Sequence, residues 1–182
     1  MMDDTPDDAN DHNLNASIKY PQLRGREGKP SRRFNRPPHN MAWCWLTAEL
    51  LNSVSWRSMS RNCQKLINRL LLEHCNNAGL VNGSLICTYH QLQEYGLTRN
   101  MIRPAIEEAS FLGLVKHQRG EKIFARNHPN SYRLTFYGTR DAKDPTNEWK
   151  RITQEKVDVF RKKRREQEKK RKEYKIKQRS AN

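Results

Sequence analysis

The chain has 182 residues and a formal charge of +15, which allows one domain of ordinary size with charged ends. No run approaches the roughly 18 apolar residues of a membrane span, and the acidic, polar start at residues 1–4 is unlike a secretory signal. The sequence therefore predicts a cytoplasmic protein, associated with the nucleoid if its partner is DNA, and argues against membrane and secreted classes.

The positive charge is concentrated towards the ends of the chain. Residues 1–18 hold five acidic residues and no lysine or arginine, whereas residues 19–40 hold seven basic residues and one acidic residue. Residues 150–182 hold fifteen basic and five acidic residues. Because such a field attracts polyanions, we expect a nucleic-acid partner. The alternative is a soluble protein that merely carries a basic tail.

Three segments follow from composition. Residues 1–40 combine prolines, glycines and charges with too little apolar surface to offset ordering, which predicts a disordered arm, acidic and then basic. Its basic part at residues 32–36 suits either an arm that enters a DNA groove or a solvated linker. Residues 41–140 are expected to fold as one domain, and residues 141–182 to form a turn and a basic extension.

The first predicted helices follow residue 41. Trp43, Leu46 and Leu50 are spaced for one helix face. Ser60 suits the N-cap of a second helix, because its hydroxyl can accept from free backbone N–H groups. This helix has the strongest apolar periodicity in the chain and should end near Gly79. Its apolar face holds Cys63, Leu66, Ile67, Leu70, Leu71 and His74.

Two further helices are predicted in quick succession. Thr88 and Gln91 form a capping box that opens a short helix, which Gly96 stops. Thr98 then caps a longer helix that ends near Gly113. Its expected buried stripe consists of Ile102, Ala105, Ile106, Ala109 and Leu112.

Short strands complete the pattern. The stretch at residues 85–87 and the start at Leu114-Val115 indicate two strands, and Tyr132, Leu134 and Phe136 alternate as in a half-buried third. The order is helix, helix, strand, helix, helix, strand, loop, strand. The predicted fold class is therefore mainly α with a small β-wing: a winged helix-turn-helix.

The N-terminal end of the helix after Gly96 is the candidate reading surface. In a helix-turn-helix the second helix presents its first residues to the major groove. Arginine can pair with guanine and asparagine with adenine through two hydrogen bonds each. Phosphates would repel Glu107 and Glu108, which confines the surface to the first two turns. The predicted base-reading residues are Thr98, Arg99, Asn100 and Arg103. The alternative for Arg103 is an ion pair with Glu107 on a solvated face.

Pro104 is unfavourable within this predicted helix. At the sixth position after the Thr98 cap it removes a backbone hydrogen bond and crowds the Asn100 carbonyl, which costs about 3 kcal/mol in a helix interior. Either the helix kinks there or it starts later than Thr98. We expect the kink, because the apolar spacing continues across the proline.

Phosphate contacts are expected from the wing and the tail. The alternative for the wing is a solvated hairpin. The tail lacks a coiled-coil seam, because apolar residues almost vanish after Val157 and Phe160, so it should be a solvated or partly helical extension. The predicted wing contacts are Lys116, His117, Arg119, Lys122 and Arg126. The predicted tail contacts are Arg161, Lys162, Lys163, Arg164, Arg165, Lys169, Lys170, Arg171 and Lys172.

Sites for catalysis and metal binding are not evident. The motifs of phosphate-binding loops, nucleophile elbows and zinc proteases are missing. The cysteines and histidines at 74, 75, 87 and 90 do not have the spacing of a zinc site. We therefore expect no enzymatic activity, cofactor, metal or small-molecule ligand. A homodimer is left open.

The stretch from Trp45 to Trp149 resembles an uncharacterised family of bacterial winged helix-turn-helix proteins associated with plasmids, phages and other mobile elements. The matching motifs are LNSVSWRSMS at 51–60, LEH at 72–74, NG at 82–83, YGL at 95–97, AIEEA at 105–109, LGLV at 112–115, YRLT at 132–135, PT at 145–146 and EW at 148–149. This resemblance implies a winged helix-turn-helix and a role with DNA, with a departure from the family pattern at Pro104.

The expected function is sequence-specific binding of double-stranded DNA, as a transcription regulator or as a replication or maintenance factor of a plasmid or phage. The main alternative is non-specific DNA or RNA binding by the basic tail, with the folded domain as a protein-interaction module. A nuclease is a third alternative for which the sequence offers no residues.

Overall fold

The computed structural model describes residues 41–120, 122–123, 126–127, 129–141 and 143–180. Its helices are α1 (Ala48–Asn52), α2 (Val54–Arg57), α3 (Arg61–Asn76), α4 (Tyr89–Glu94), α5 (Arg99–Phe111) and α6 (Gln154–Ser180). Its strands are β1 (Leu85–Ile86), β2 (Val115–Gln118), β3 (Lys122–Ile123), β4 (Arg126–Asn127) and β5 (Ser131–Leu134), and a 3₁₀ turn at Glu148–Arg151 precedes α6. The predicted arm at residues 1–40 lies outside the described residues.

Side-chain caps fix the starts of α3 and α4. The Ser60 hydroxyl accepts from the Cys63 N–H at 3.2 Å, as predicted. The capping box of Thr88 and Gln91 is complete, with both reciprocal bonds present. Helix α5 begins at Arg99, directly after Thr98, but the Thr98 hydroxyl makes no capping bond. The predicted boundaries of these helices are therefore confirmed, and the side-chain cap at Thr98 is wrong.

The first helix is shorter than predicted. Helix α1 begins only at Ala48, where the Thr47 hydroxyl accepts from the Leu50 N–H at 3.2 Å. Trp43 therefore precedes the helix, and 60% of its surface is exposed. Trp43, Leu46 and Leu50 have the spacing of one helix face. However, Thr47 caps the helix, so only Leu50 of the three lies within α1.

Helices α3 and α5 form the centre of the core. The apolar faces predicted for both are buried, and Leu92 of α4 lies against them. Within the described residues, none of the helices has the length and apolarity needed to cross a bilayer.

A small antiparallel sheet covers one side of this helical core. Its strand order is β1-β5-β2, with Leu85 opposite Tyr132 and Val115 opposite Leu134. Strands β3 and β4 pair separately between β2 and β5. The predicted mainly helical architecture with a small sheet is confirmed. Phe136 was assigned to the last strand, but β5 ends at Leu134, and Phe136 is buried in the turn that follows.

Asn82 joins the segment before β1 to the end of β5. Its side-chain amide donates to the carbonyls of Leu134, Tyr137 and Gly138 at 2.9, 3.0 and 2.9 Å. Its side-chain oxygen accepts from the Leu134 N–H at 2.8 Å. Since Asn82 is only 4% exposed, these bonds satisfy backbone groups that water does not reach.

The folded core extends beyond residue 140, where the sequence placed the end of the domain. Trp149 and Val157 are 5% and 2% exposed and belong to the same apolar cluster. The buried Ser55 hydroxyl donates to the Trp149 carbonyl at 2.9 Å. Composition did not predict this packing, because apolar residues become rare after Val157 and Phe160. The segment at 141–182 thus contributes its first part to the domain.

Acidification is expected to destabilise the fold through His74 and His117. Burial lowers the pKa of both imidazoles below the usual value. The unfolded chain then binds protons that the folded chain excludes, so stability falls as the pH drops through the unfolded pKa of about 6.5. Each histidine contributes at most about 1.4 kcal/mol per pH unit. Urea unfolding at pH 7.5 and pH 5.5 measures the effect. A His74→Gln chain with an unchanged pH dependence would contradict the part assigned to His74.

Candidate nucleic-acid interface

A tight connection sets α4 against α5. Gly96 has a φ of +91°, a backbone conformation that residues with a Cβ rarely adopt. Leu97 is buried, and its N–H donates to the Leu92 carbonyl at 3.0 Å. From α3, the Lys65 ammonium donates to the Gly96 carbonyl at 2.6 Å. The connection is thus tied to the core on both sides, which fixes the direction in which α5 begins.

The first two turns of α5 carry the predicted reading residues on their exposed side. Thr98, Arg99 and Asn100 are all exposed at the start of the helix. Arg103 is also exposed, and its Nε donates to Glu107 Oε1 at 2.8 Å. The ion pair with Glu107, which was the alternative for Arg103, is therefore present in this structure. Surface pairs of this kind contribute about 0.2–1 kcal/mol, so a stronger anion can replace Glu107.

Pro104 lies within a single continuous helix. Helix α5 runs from Arg99 through Pro104 to Phe111. A start later than Thr98 is thereby excluded. Since proline has no N–H, the carbonyl of Asn100 has no donor four residues ahead in the helix.

Glu108 does not face solvent as the sequence suggested. It is 6% exposed and accepts three hydrogen bonds from two other parts of the fold. The N–H and hydroxyl of Ser60 donate to Oε1 and Oε2 at 2.6 and 2.7 Å. Arg164 Nη1 of α6 donates to Oε2 at 2.9 Å. Glu108 thus joins the N-terminus of α3, the middle of α5 and the first half of α6, and it does not confine the reading surface by repelling phosphates.

Helix α6 covers the C-terminal half of α5 instead. The rings of Phe160 and Phe111 stack with centroids 4.0 Å apart and planes 7° from parallel. Beside them, a cavity of about 260 Å³ is lined by residues of both helices, including Pro104 and Arg171. This packing leaves Arg99 and Asn100 as the uncovered end of the helix. Packing against α6, and not only the charge of Glu107, therefore limits which part of α5 is exposed.

Two of the five predicted wing residues have partners within the protein. Lys116 Nζ lies 2.6 Å from Glu148 Oε1. His117 is half-buried against Tyr132, and burial lowers its pKa, which favours the uncharged imidazole. Arg119 is exposed. The strands β3 and β4 contain Lys122 and Arg126, whose side chains lie outside the described part of the structure.

Two of the nine predicted tail residues serve to dock α6. Arg161 Nη2 donates to the Ser58 carbonyl at 2.9 Å, and Arg164 binds Glu108. The other seven are exposed on the helix: Lys162, Lys163, Arg165, Lys169, Lys170, Arg171 and Lys172. The basic extension is therefore a helix of 27 residues with a docked first half.

No family model, curated protein or solved structure matches the chain significantly.

Sequence reasoning missed two residues that position α5, the helix with the candidate reading residues. Lys65 stands on a helix face among polar residues, and only the folded chain brings it to Gly96. Glu108 stands beside Glu107 in the sequence, yet the two side chains have opposite surroundings. The available signal for Glu108 was its place next to the buried stripe of α5. In the described ranges, no three histidine, cysteine or acidic side chains are grouped as metal ligands would be.

Proposed function

We propose that this chain binds double-stranded DNA sequence-specifically through a winged helix-turn-helix. In this assignment α4, the connection at Gly96 and α5 form the helix-turn-helix, and the segment between β2 and β5 forms the wing. The observation that carries the proposal is the exposed pair of Arg99 and Asn100 at the start of α5, on a helix whose entry is fixed by Leu97 and Lys65.

The chemistry of these side chains suits the edges of base pairs. Arg99 has the donor fork that guanine O6 and N7 accept, and Asn100 can donate to and accept from adenine N6 and N7. Each such pair discriminates between bases by about 1–3 kcal/mol. Arg103 can join them by exchanging its exposed partner Glu107 for DNA. The helix supplies the choice of site.

The remaining affinity is assigned to phosphate contacts. Arg119 lies just before β3, and the exposed lysines and arginines of α6 add further positive charge. Contacts of this kind hold register on the duplex without reading sequence. The family resemblance from Trp45 to Trp149 supports a role as a transcription regulator or as a replication or maintenance factor of a plasmid or phage.

Arg99→Ala and Asn100→Ala are each expected to relax base preference at one position of the site. Selection of binding sites from random DNA, followed by titration of single-base variants, measures this change. In contrast, Arg119→Ala should weaken binding to every sequence alike and lower the salt slope by about one. Equal losses on all sequences for all three variants would show that α5 does not read bases. A palindromic selected site would indicate a dimer.

A second candidate is non-specific binding of DNA or RNA through α6. It is favoured by the exposed basic side chains of that helix, seven of which are the predicted tail residues that do not dock it. In that case the selection returns no preferred site, and Arg99→Ala leaves the affinity unchanged. The same experiment therefore separates the two functions.

A further inference from the structure

Helix α6 runs past α5 in the opposite direction. Three points fix this order: Phe160 lies on Phe111, Arg164 binds Glu108, and Arg171 shares a cavity wall with Pro104. The two helices are therefore antiparallel, and the C-terminal end of α6 lies towards the exposed N-terminal end of α5.

The far end of α6 extends beyond the start of α5. At about 1.5 Å per residue, the nine residues after Arg171 span about 14 Å, whereas Pro104 is only about 8 Å from Arg99 along the axis of α5. We call residues 169–180 the distal segment. Since α6 ends at Ser180 as one continuous helix, this segment is a direct extension of the docked part.

The docking contacts give α6 a fixed direction. The Glu108–Arg164 pair is largely buried, with side chains 8% and 29% exposed, and the stacked phenylalanines lie one turn away. Val157 adds a buried anchor at the first turns. A flexible tail attached to the domain only through the backbone would have none of these contacts.

Three lysines near the start of the distal segment present positive charge at the surface. Lys169, Lys170 and Lys172 are exposed, and in the part of the chain that the structure describes none of them forms an ion pair. Packed helices lie about 8–10 Å apart, and the major groove is about 12 Å wide. When α5 enters the groove, a helix beside it therefore lies over the groove edge, where the phosphates are.

We propose that α6 is a rigid arm whose distal segment binds the phosphate backbone of the duplex immediately beside the site read by α5. The proposal rests on the proposed function and adds a second, positioned contact to it. The end of α6 passes the start of α5 by about 6 Å at about 1.5 Å per residue, and α6 lies on one side of α5, so this contact should fall on one flank of the site. The protein would then protect DNA asymmetrically around the reading helix.

Gln167→Pro tests the rigidity of the arm, with Gln167→Ala as the matched control. Gln167 follows Arg164 by three residues, precedes the distal segment, and lines the cavity that Pro104 and Arg171 also line. Proline there removes a helical hydrogen bond and clashes with the Lys163 carbonyl, whereas alanine keeps the helix; neither change alters charge. The full-length chains are compared by hydroxyl-radical footprinting on the selected site with long flanks, and by the salt dependence of affinity.

The control should give the wild-type footprint. The proline variant should lose protection on one flank, bind about tenfold more weakly and have a salt slope smaller by two or three, because each lost phosphate contact lowers the slope by about 0.9. An unchanged footprint and slope in the proline variant would overturn the proposal in favour of a flexible basic tether.

A second variant keeps the test decisive if proline disturbs folding. The triple change Lys169→Gln, Lys170→Gln and Lys172→Gln leaves the helix and its docking contacts in place. It should remove the flanking protection and retain protection of the site itself; retention of both would overturn the proposal. Failure of the wild-type chain to select any site would instead overturn the proposed function, and this inference with it.

Discussion

Glu108→Ala is expected to lower the free energy of unfolding by about 2–4 kcal/mol. The change leaves the Ser60 N–H without its acceptor and the Arg164 guanidinium without its counter-ion. An orphaned buried donor costs about 1–3 kcal/mol, and the loss of one member of a buried pair adds to this. Arg164 is 29% exposed, so water screens part of that second cost. Urea unfolding followed by circular dichroism measures the change.

The adjacent Glu107→Ala is the matched control. Its carboxylate is 58% exposed and pairs with Arg103 on the surface, so its removal should cost less than about 1 kcal/mol. Arg164→Met should reproduce much of the Glu108→Ala effect, because it breaks the same pair from the other side. Equal stability of the Glu107→Ala and Glu108→Ala chains would refute the role of Glu108 as the junction of α3, α5 and α6.

Asn82→Ala is expected to cost about 3 kcal/mol or more. Alanine leaves the Leu134 N–H and the carbonyls of Tyr137 and Gly138 without the partner that Asn82 provides. These groups lie where β5 leaves the sheet, so the base of the proposed wing should loosen as well. Denaturant unfolding gives the loss, and hydrogen exchange of the Leu134 amide locates it.

Two comparison variants sharpen this result. Asn68→Ala removes an exposed amide from α3 and should change stability by less than about 0.5 kcal/mol. Asn82→Asp keeps the acceptor for the Leu134 N–H but turns a carboxylate towards three carbonyl oxygens, so it should be as damaging as alanine. A near-neutral Asn82→Asp would mean that the amide donors contribute little.

Local chemistry made much of the fold predictable. The caps at Ser60 and Thr88 and the apolar stripes of α3 and α5 depend on residues within one or two turns of one another, and all were recognised in the sequence. Thr47 shows the limit of the same reasoning. The apolar spacing around Thr47 predicted a helix that begins earlier, but the Thr47 hydroxyl caps α1, which therefore begins at Ala48.

Long-range contacts were the unpredictable part. The docking of α6 depends on Glu108 meeting Arg164, 56 residues away. Neither residue differs in type from its charged neighbours, so composition described the whole segment as a solvated tail. Val157 and Phe160 precede a long polar stretch, and their spacing of about one turn is the local indication of a docked face.

The candidate interface divides in the same way. Arg99 and Asn100 were identified from their position after the turn at Gly96, and they are exposed there. Lys116 and His117 were grouped with the wing cations by residue type alone. Each meets a residue from another segment of the chain. Glu148 forms an ion pair with Lys116, and the Tyr132 ring packs against His117.

The bond between Ser55 and Trp149 also governs when the protein can finish folding. The two residues are 94 positions apart, and Arg161 reaches Ser58 across 103 positions. Closing such long loops slows folding, because the entropy of closure is lost before the contact forms. During synthesis, α2 emerges first and must wait for the last quarter of the chain to supply its partners. Completion of the domain therefore requires the synthesis of residues 149–161, and a ribosome-bound fragment that stops before Trp149 should still expose its core to proteases.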